Sequence, residues 1–420
     1  MSGIEVYGSV ADGFEAVREE FAAAVAEETA EPGAQLAAYV QGRPVVDLWA
    51  GEDMDGSTLL PVYSNSKGAA HLVVALLVQE GVLDLDRQVA SYWPEFTGGG
   101  KERLTLRELI AHRSGLIGVD GGFTLEELAD DRVVAARLAG QRPFWKPGTA
   151  YGYHALTIGA LTGEVVRRAT GRTLQEVYEE RIRAPHGLDL WLGLPEAEEA
   201  RLQPTRPMAP TPEQQALLDA NRPPAEGLLP IAFNRAADPS FDIVDYANSR
   251  AVRALGPASG GGVGNARGLA RLYAAALSGV DGAPALLEPE TVAEFTERRW
   301  AGTDAVTGEP DHFTLGFETE GVRYPALGAT AFGHSGAAGS EAFADPRTGL
   351  AYGYARRRFA FPGGAAPENQ RLVAAVARAA GESVRLEVGT SSYLGAGDGD
   401  RRGRSAGVGS GPVRRLASTS

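Results

Sequence analysis

Ser64-Asn65-Ser66-Lys67 sets a hydroxyl three residues ahead of an amine. The run that follows, Gly68 to Glu80, is apolar almost all the way round through Ala69, Ala70, Leu72, Val73, Val74, Ala75, Leu76, Leu77 and Val78, and Gly81 ends it. A helix without a polar face belongs inside a protein. Residues three apart in a helix share a face, so Ser64 and Lys67 meet in the first turn of a buried helix. There the helix dipole favours developing negative charge. A serine hydroxyl is a poor nucleophile until a base takes its proton. A lysine becomes that base when burial disfavours its charged form. The bland alternative is a serine N-cap beside an ordinary surface lysine. Against it, Lys67 is one of only three lysines, with Lys101 and Lys146, and it opens the most apolar helix of the chain.

Two further segments can complete such a site. Tyr153 offers a hydroxyl able to relay a proton to a leaving group, or simply a buried aromatic whose hydroxyl bonds to backbone. His334-Ser335-Gly336 falls at a strand end, between Phe332 and Phe343. A backbone N–H there can form an oxyanion hole with the N–H of Ser64. Gly403-Arg404-Ser405-Ala406-Gly407 matches a nucleophile elbow in letters, but it lacks the preceding strand and following helix that an elbow needs. The six histidines, His71, His112, His154, His186, His312 and His334, show no paired ligand spacing, and no metal or cofactor is expected.

These residues need a large scaffold, and 420 residues supply one. A net charge of −14 argues against nucleic acid and anionic membranes as partners. The absence of cysteine excludes disulfides and thiol chemistry. Met1 to Phe21 carries acids and no apolar core, so it does not read as a signal peptide. A cytoplasmic protein is expected; its oligomeric state stays open.

Along the chain, Val10 to Glu28 reads as an amphipathic helix, and residues 35–40 and 45–49 as two strands joined by a tight turn. Leu104 to His112, Thr124 to Gly140, Ala155 to Ala169 and Leu174 to Ile182 read as helices. Pro195 to Pro257 has little periodicity and reads as a lid or pocket wall, with Phe233 and Phe241 in it. Asn265 to Leu277 is helical. Residues 313–317, 329–334, 341–345 and 351–354 read as strands, and 369–380 as a closing helix. From Gly381 the composition turns to Gly, Ser and Arg, as in a disordered tail. The pattern is a mostly helical region inserted into a sheet domain.

Taken together, the segments resemble the serine β-lactamase and penicillin-binding-protein superfamily, and within it the class C-like branch that includes class VIII esterases. The resemblance covers roughly residues 30 to 380. It rests on Ser64-Asn-Ser-Lys67, Gly81-Val-Leu-Asp-Leu-Asp86, Leu104-Thr-Leu-Arg-Glu-Leu-Ile-Ala-His-Arg-Ser-Gly-Leu116, Pro147-Gly148 followed by Tyr153, and Gly333-His-Ser-Gly336. It implies an α/β (α+β) fold, an antiparallel sheet flanked by helices plus a helical domain, with the site between them. The hydrolase would span 1–380, its helical part about 68–250, its sheet part about 1–63 and 251–380, and the tail 381–420.

By that resemblance Ser64 is the acylated nucleophile and Lys67 its activating partner. Tyr153 corresponds to the tyrosine of Tyr-x-Asn, with Tyr151 the other claimant. His334-Ser335-Gly336 corresponds to Lys-Thr-Gly, and Ala337 lends the second oxyanion N–H. Two departures bear on substrate. Ala155 stands in place of the Asn that binds an acyl amide, and His334 in place of the Lys that attracts a carboxylate. An unperturbed His is mostly neutral at pH 7. Both losses cost a neutral ester less than a β-lactam or a D-amino-acid peptide. The expected function is a carboxylesterase on small to medium esters, with possible acyl transfer. The alternatives are a weak β-lactamase, a D-amino-acid amidase and a non-catalytic binding scaffold.

Overall fold

The computed structural model describes residues 4–394 apart from 29, 223, 224, 236 and 239. The chain divides into two units, Met1–Gly381 and Glu382–Ser420. The first holds every element discussed below except the end of the last helix.

Its strands are β1 (Tyr7–Val10), β2 (Gly33–Val40), β3 (Arg43–Gly51), β4 (Leu60–Tyr63), β5 (Leu190–Trp191), β6 (Gly262–Gly264), β7 (Glu318–Thr319), β8 (Phe332–Ser335), β9 (Glu341–Asp345) and β10 (Leu350–Arg356). Seven form one antiparallel sheet in the order β1-β3-β2-β10-β9-β8-β7, and the rest a small sheet, β4-β6-β5. β2 is buried along its whole length, as a central strand covered on both faces must be. β2 and β3 join through Gln41-Gly42, both at positive φ (49° and 77°). Such a two-residue turn matches the right-handed twist of its strands. Helix Ala266–Leu277 lies so close to β10 that a Cβ on Gly353 would fall 2.4 Å from the Ala266 carbonyl oxygen. Helix α1 (Glu15–Glu27) buries Val17, Phe21, Ala24 and Val25.

Helix α2 (Asn65–Gln79) is buried without interruption from Asn65 to Leu77. It contacts the helices Ile158–Thr170 and Leu174–Tyr178 and the strand β8. Its apolar circumference is thus shared between helices and sheet, and Gly81 at φ 72° turns the chain away. Tyr63, at φ 51°, turns β4 into α2. A left-handed aromatic residue costs about 1–2 kcal/mol. The Ser66 hydroxyl holds the corner, donating to the Tyr63 carbonyl (2.5 Å) and accepting from the Gly262 N–H (2.8 Å).

Several elements differ from expectation. Thr124 to Gly140 is two helices, Leu125–Leu128 and Asp131–Gly140, because the Asp130 carboxylate caps a new start at the Arg132 N–H (2.9 Å). Residues 195–257 hold short helices, among them Pro212–Ala220, Ile243–Asn248 and Arg250–Leu255, too brief for periodicity to register. Phe313 to Phe317 is not a strand. Gly316 bends it at φ 82°, with the His71 ring 2.1 Å from where a Cβ would sit; Phe313 makes only an isolated bridge to Glu318, and pairing with β8 begins at Glu318. Residues 381–394, the start of the expected disordered tail, continue the last helix, Asn369–Leu394, and 395–420 lie outside the described residues. The Gly403–Gly407 elbow lies outside the described residues. Among the described residues, no helix is long and apolar enough to cross a membrane.

Candidate active site

Ser64 is the N-cap of α2, and Lys67 lies one turn on, fully buried. Lys67 Nζ is 3.0 Å from Ser64 Oγ, 2.8 Å from the Ala155 carbonyl and 2.6 Å from the Ser259 carbonyl. Burial pulls this amine down to about 7, with Glu318 opposing the shift only in part. A neutral amine has two N–H bonds and one lone pair. The two carbonyls accept the N–H bonds, which leaves the lone pair facing Ser64 Oγ.

Tyr153 completes the cluster, its hydroxyl 2.8 Å from Ser64 Oγ. Burial, reinforced by the Glu318 charge, raises its pKa, so the phenol stays protonated and donates. Tyr151 is turned elsewhere and donates to the Gly302 carbonyl (2.7 Å). Geometry therefore separates the two claimants. The Tyr153 segment is tied down at several points. The Gly152 N–H reaches the His112 carbonyl (3.1 Å), the His154 N–H reaches His112 Nδ1 (3.1 Å), and the Tyr153 N–H reaches Asp304 Oδ1 (3.2 Å). His154 Nδ1 donates to the Gly152 carbonyl (2.6 Å), so its Nε2 accepts from Ser114 Oγ (2.7 Å). The Ala111-His-Arg-Ser-Gly115 stretch is thus the cradle of the tyrosine loop. Asp304 carried no sequence signal, being one acid among many in an irregular segment.

The Gly333–Gly336 stretch divides between interior and cleft. His334 is fully buried, and burial lowers it to about 3, with Glu318 only partly offsetting the shift. It is neutral and makes no cationic subsite. Ser335 and Ala337 line the cleft with Ser64, Tyr153 and Phe233, in a space of about 400 Å³. Among the described residues, neither the Ser64 N–H nor the Ala337 N–H has a hydrogen-bond partner. Phe241, expected in the pocket wall, stacks on Tyr246 instead (6.0 Å).

Glu318, on β7, was not legible in the sequence. Its carboxylate accepts from the Ser335 hydroxyl (3.0 Å) and N–H (3.1 Å) and pairs with Arg323 (2.5 Å). His312 Nε2 stands 3.6 Å away and His334 Nδ1 3.2 Å. Burial acts to raise this carboxyl, but the Arg323 and His312 charges outweigh it and hold it well below the usual range. Neutral His334 brings no charge, and its Nδ1–H donates to the Ser335 carbonyl (2.8 Å). Glu318, Glu320 and Glu341 converge within 4.8 Å, and Arg323 is the cation among them, 3.9 Å from Glu320 and 3.4 Å from Glu341. A second cleft, of about 390 Å³, lies beside α1. Its Arg356 and Arg358 are paired with Glu28, and it contains no serine-lysine pair.

A β-lactamase-like fold frames this site, and the chain belongs to the Beta-lactamase family, whose model matches residues 19–377. It is 32% identical to Esterase/beta-lactamase LipL of Mycobacterium tuberculosis over 352 residues, 79% of this chain and 78% of that protein. Among solved structures it is similar to EstA from Arthrobacter nitroguajacolicus Rue61a, with a TM-score of 0.81 and 43% identity across 89% of this chain and 98% of EstA. A family VIII carboxylesterase superposes with a TM-score of 0.79 and 33% identity, covering 90% of this chain and all (100%) of that one.

Proposed function

We propose that this protein is a serine carboxylesterase working through an acyl-enzyme at Ser64. The observation that carries the reading is one oxygen held between two groups of opposite role. Ser64 Oγ is 3.0 Å from a lysine amine whose pKa is brought down to about 7, and 2.8 Å from a tyrosine hydroxyl kept protonated.

Ser64 Oγ attacks the ester carbonyl and gives its proton to Lys67 Nζ. The N–H groups of Ser64 and Ala337 receive the oxyanion. On collapse, the carbon–oxygen bond of the ester breaks and Tyr153 protonates the leaving alcohol; Lys67 returns the proton to Tyr153. Water then attacks the acyl-enzyme, gives its proton to the same pair, and Ser64 leaves with a proton. The sequence alone suggested that Lys67 and Tyr153 share the role of base. The raised pKa of Tyr153 supports Lys67 as the acceptor of the first proton.

Neutral His334 and the backbone at Ala155 suit an uncharged ester of small to medium size. The names of LipL and EstA, and that of the family VIII structure, support the class. The LipL name also carries the second reading, residual β-lactamase activity. The two-lobed organisation, a helical part over about 68–250 against a sheet part, belongs to the proposal as well.

The test is hydrolysis of p-nitrophenyl butyrate by the wild type and by Ser64→Ala, with nitrocefin run in parallel. Loss of ester turnover in the variant, together with a fluorophosphonate adduct on the wild type only, is the expected result. Equal activity in both would remove Ser64 from the mechanism. Faster turnover of nitrocefin than of the ester would favour the second reading, and an unlabelled, inactive wild type would leave a binding scaffold.

A further inference from the structure

The cleft that Ser64 and Phe233 line also holds donors of the kind that bind a carboxylate. These are the Ser335 hydroxyl, the His312 ring and the Arg323 guanidinium, all facing the space that Ser64 opens into. Each is already engaged by the same acid. Ser335 Oγ–H and N–H both donate to Glu318, Arg323 pairs with it at 2.5 Å, and His312 Nε2 stands 3.6 Å from it. Other acids take up what remains, with Glu309 3.0 Å from His312 Nδ1 and Glu341 3.4 Å from Arg323.

We infer that Glu318 is an internal occupant of the cleft's anion subsite, and that it sets the specificity of the site for substrates without a carboxylate near the scissile bond. The inference rests on the esterase reading and adds the substrate charge to it. Two physical effects combine. The Ser335 proton is committed to Glu318, so the hydroxyl turns lone pairs rather than a proton toward the cleft. A substrate carboxylate would also find both cations of the cleft, Arg323 and His312, already paired with Glu318, Glu341 and Glu309, so it would give up its hydration with no free cation to replace it. Glu318 acts on specificity through the field and through Ser335; it is not placed among the groups that move protons.

The experiment compares two substrates, the mono-p-nitrophenyl ester of adipic acid and the same ester with its free carboxyl methylated, each rate corrected for spontaneous hydrolysis. The readout is the ratio of their kcat/KM values in the wild type, in Glu318→Gln and in Glu318→Ala. The wild type is expected to prefer the methylated ester by about tenfold or more. Both variants are expected to shift the ratio toward the free acid by about the same factor, whatever happens to absolute rates. A wild type that uses the two alike, or a ratio unmoved in a folded variant, overturns the proposal. If neither variant folds, the wild type decides by inhibition. Phenylboronic acid should bind more tightly than 3-carboxyphenylboronic acid, and the reverse order overturns the inference. A wild type that hydrolyses neither ester has failed as an esterase, and the inference falls with it. Turnover of both alike keeps the esterase and removes only the role of Glu318.

Discussion

The His154 N–H donates to His112 Nδ1 at 3.1 Å, and through that bond the loop carrying Tyr153 is fastened to a segment some forty residues earlier. His112 itself sits at φ 59° and stacks edge-on against Tyr153, with ring centroids 5.6 Å apart. The tyrosine therefore owes its position over Ser64 to the distant His112 and Asp304 as well as to its own loop. Burial lowers His154 to about 4, which leaves its Nε2 free to accept at neutral pH.

Ser114→Ala tests this cradle. It removes the donor to His154 Nε2 (2.7 Å) and strands that nitrogen in the interior. Loss of a buried partner costs about 1–3 kcal/mol. Denaturant unfolding should show that loss, and kcat should fall while KM changes little, since Tyr153 is displaced from the reacting atoms. Unchanged stability would mean that the bond holds nothing.

Tyr153→Phe and Tyr151→Phe should part company. The first removes the proton donor at 2.8 Å from Ser64 Oγ and should lower kcat by about 10²–10⁴-fold. The second breaks only the bond to the Gly302 carbonyl, a cost of about 1 kcal/mol in stability. Turnover of p-nitrophenyl butyrate by both variants decides; a more damaging Tyr151 change would reverse the assignment.

Activity should follow the neutral amine of Lys67. Its pKa is brought down to about 7 by burial, so kcat/KM should rise with pH through that value and fall on acidification. Lys67→Arg keeps a cation that does not deprotonate, and it should be inactive at every pH. A pH–rate profile of the wild type that is flat from pH 5 to 9 would contradict the role of base.

His312 should tie stability to pH. Burial acts to lower its pKa, but Glu309 and Glu318 outweigh it and raise the ring to about 9, above the ordinary value of 6.5. The charged ring therefore stabilises the fold fully below about pH 6.5, and the contribution fades as pH rises through about 9. About 1–3 kcal/mol is at stake. Urea unfolding at pH 6 and pH 9.5 should show the wild type losing more stability than His312→Gln over that interval. Equal losses in the two proteins would contradict it.

Local rules were enough for one part of this protein. The Ser64–Lys67 pairing follows from three residues of helix, and the burial of Lys67 from the unbroken apolar run behind it, because helix periodicity is a property of neighbours in sequence. The hairpin at Gln41-Gly42 was legible for the same reason. What only the tertiary structure decided lies between segments that are far apart in the chain. Tyr153 rather than Tyr151 reaches Ser64 because His112 and Asp304 hold the loop in one orientation. Glu318 commands Ser335 because β7 pairs with β8. The lowered pKa values of Lys67 and His334 depend on how much water the assembled core excludes. Desolvation and long-range pairing are sums over the folded surroundings, and no stretch of sequence contains them.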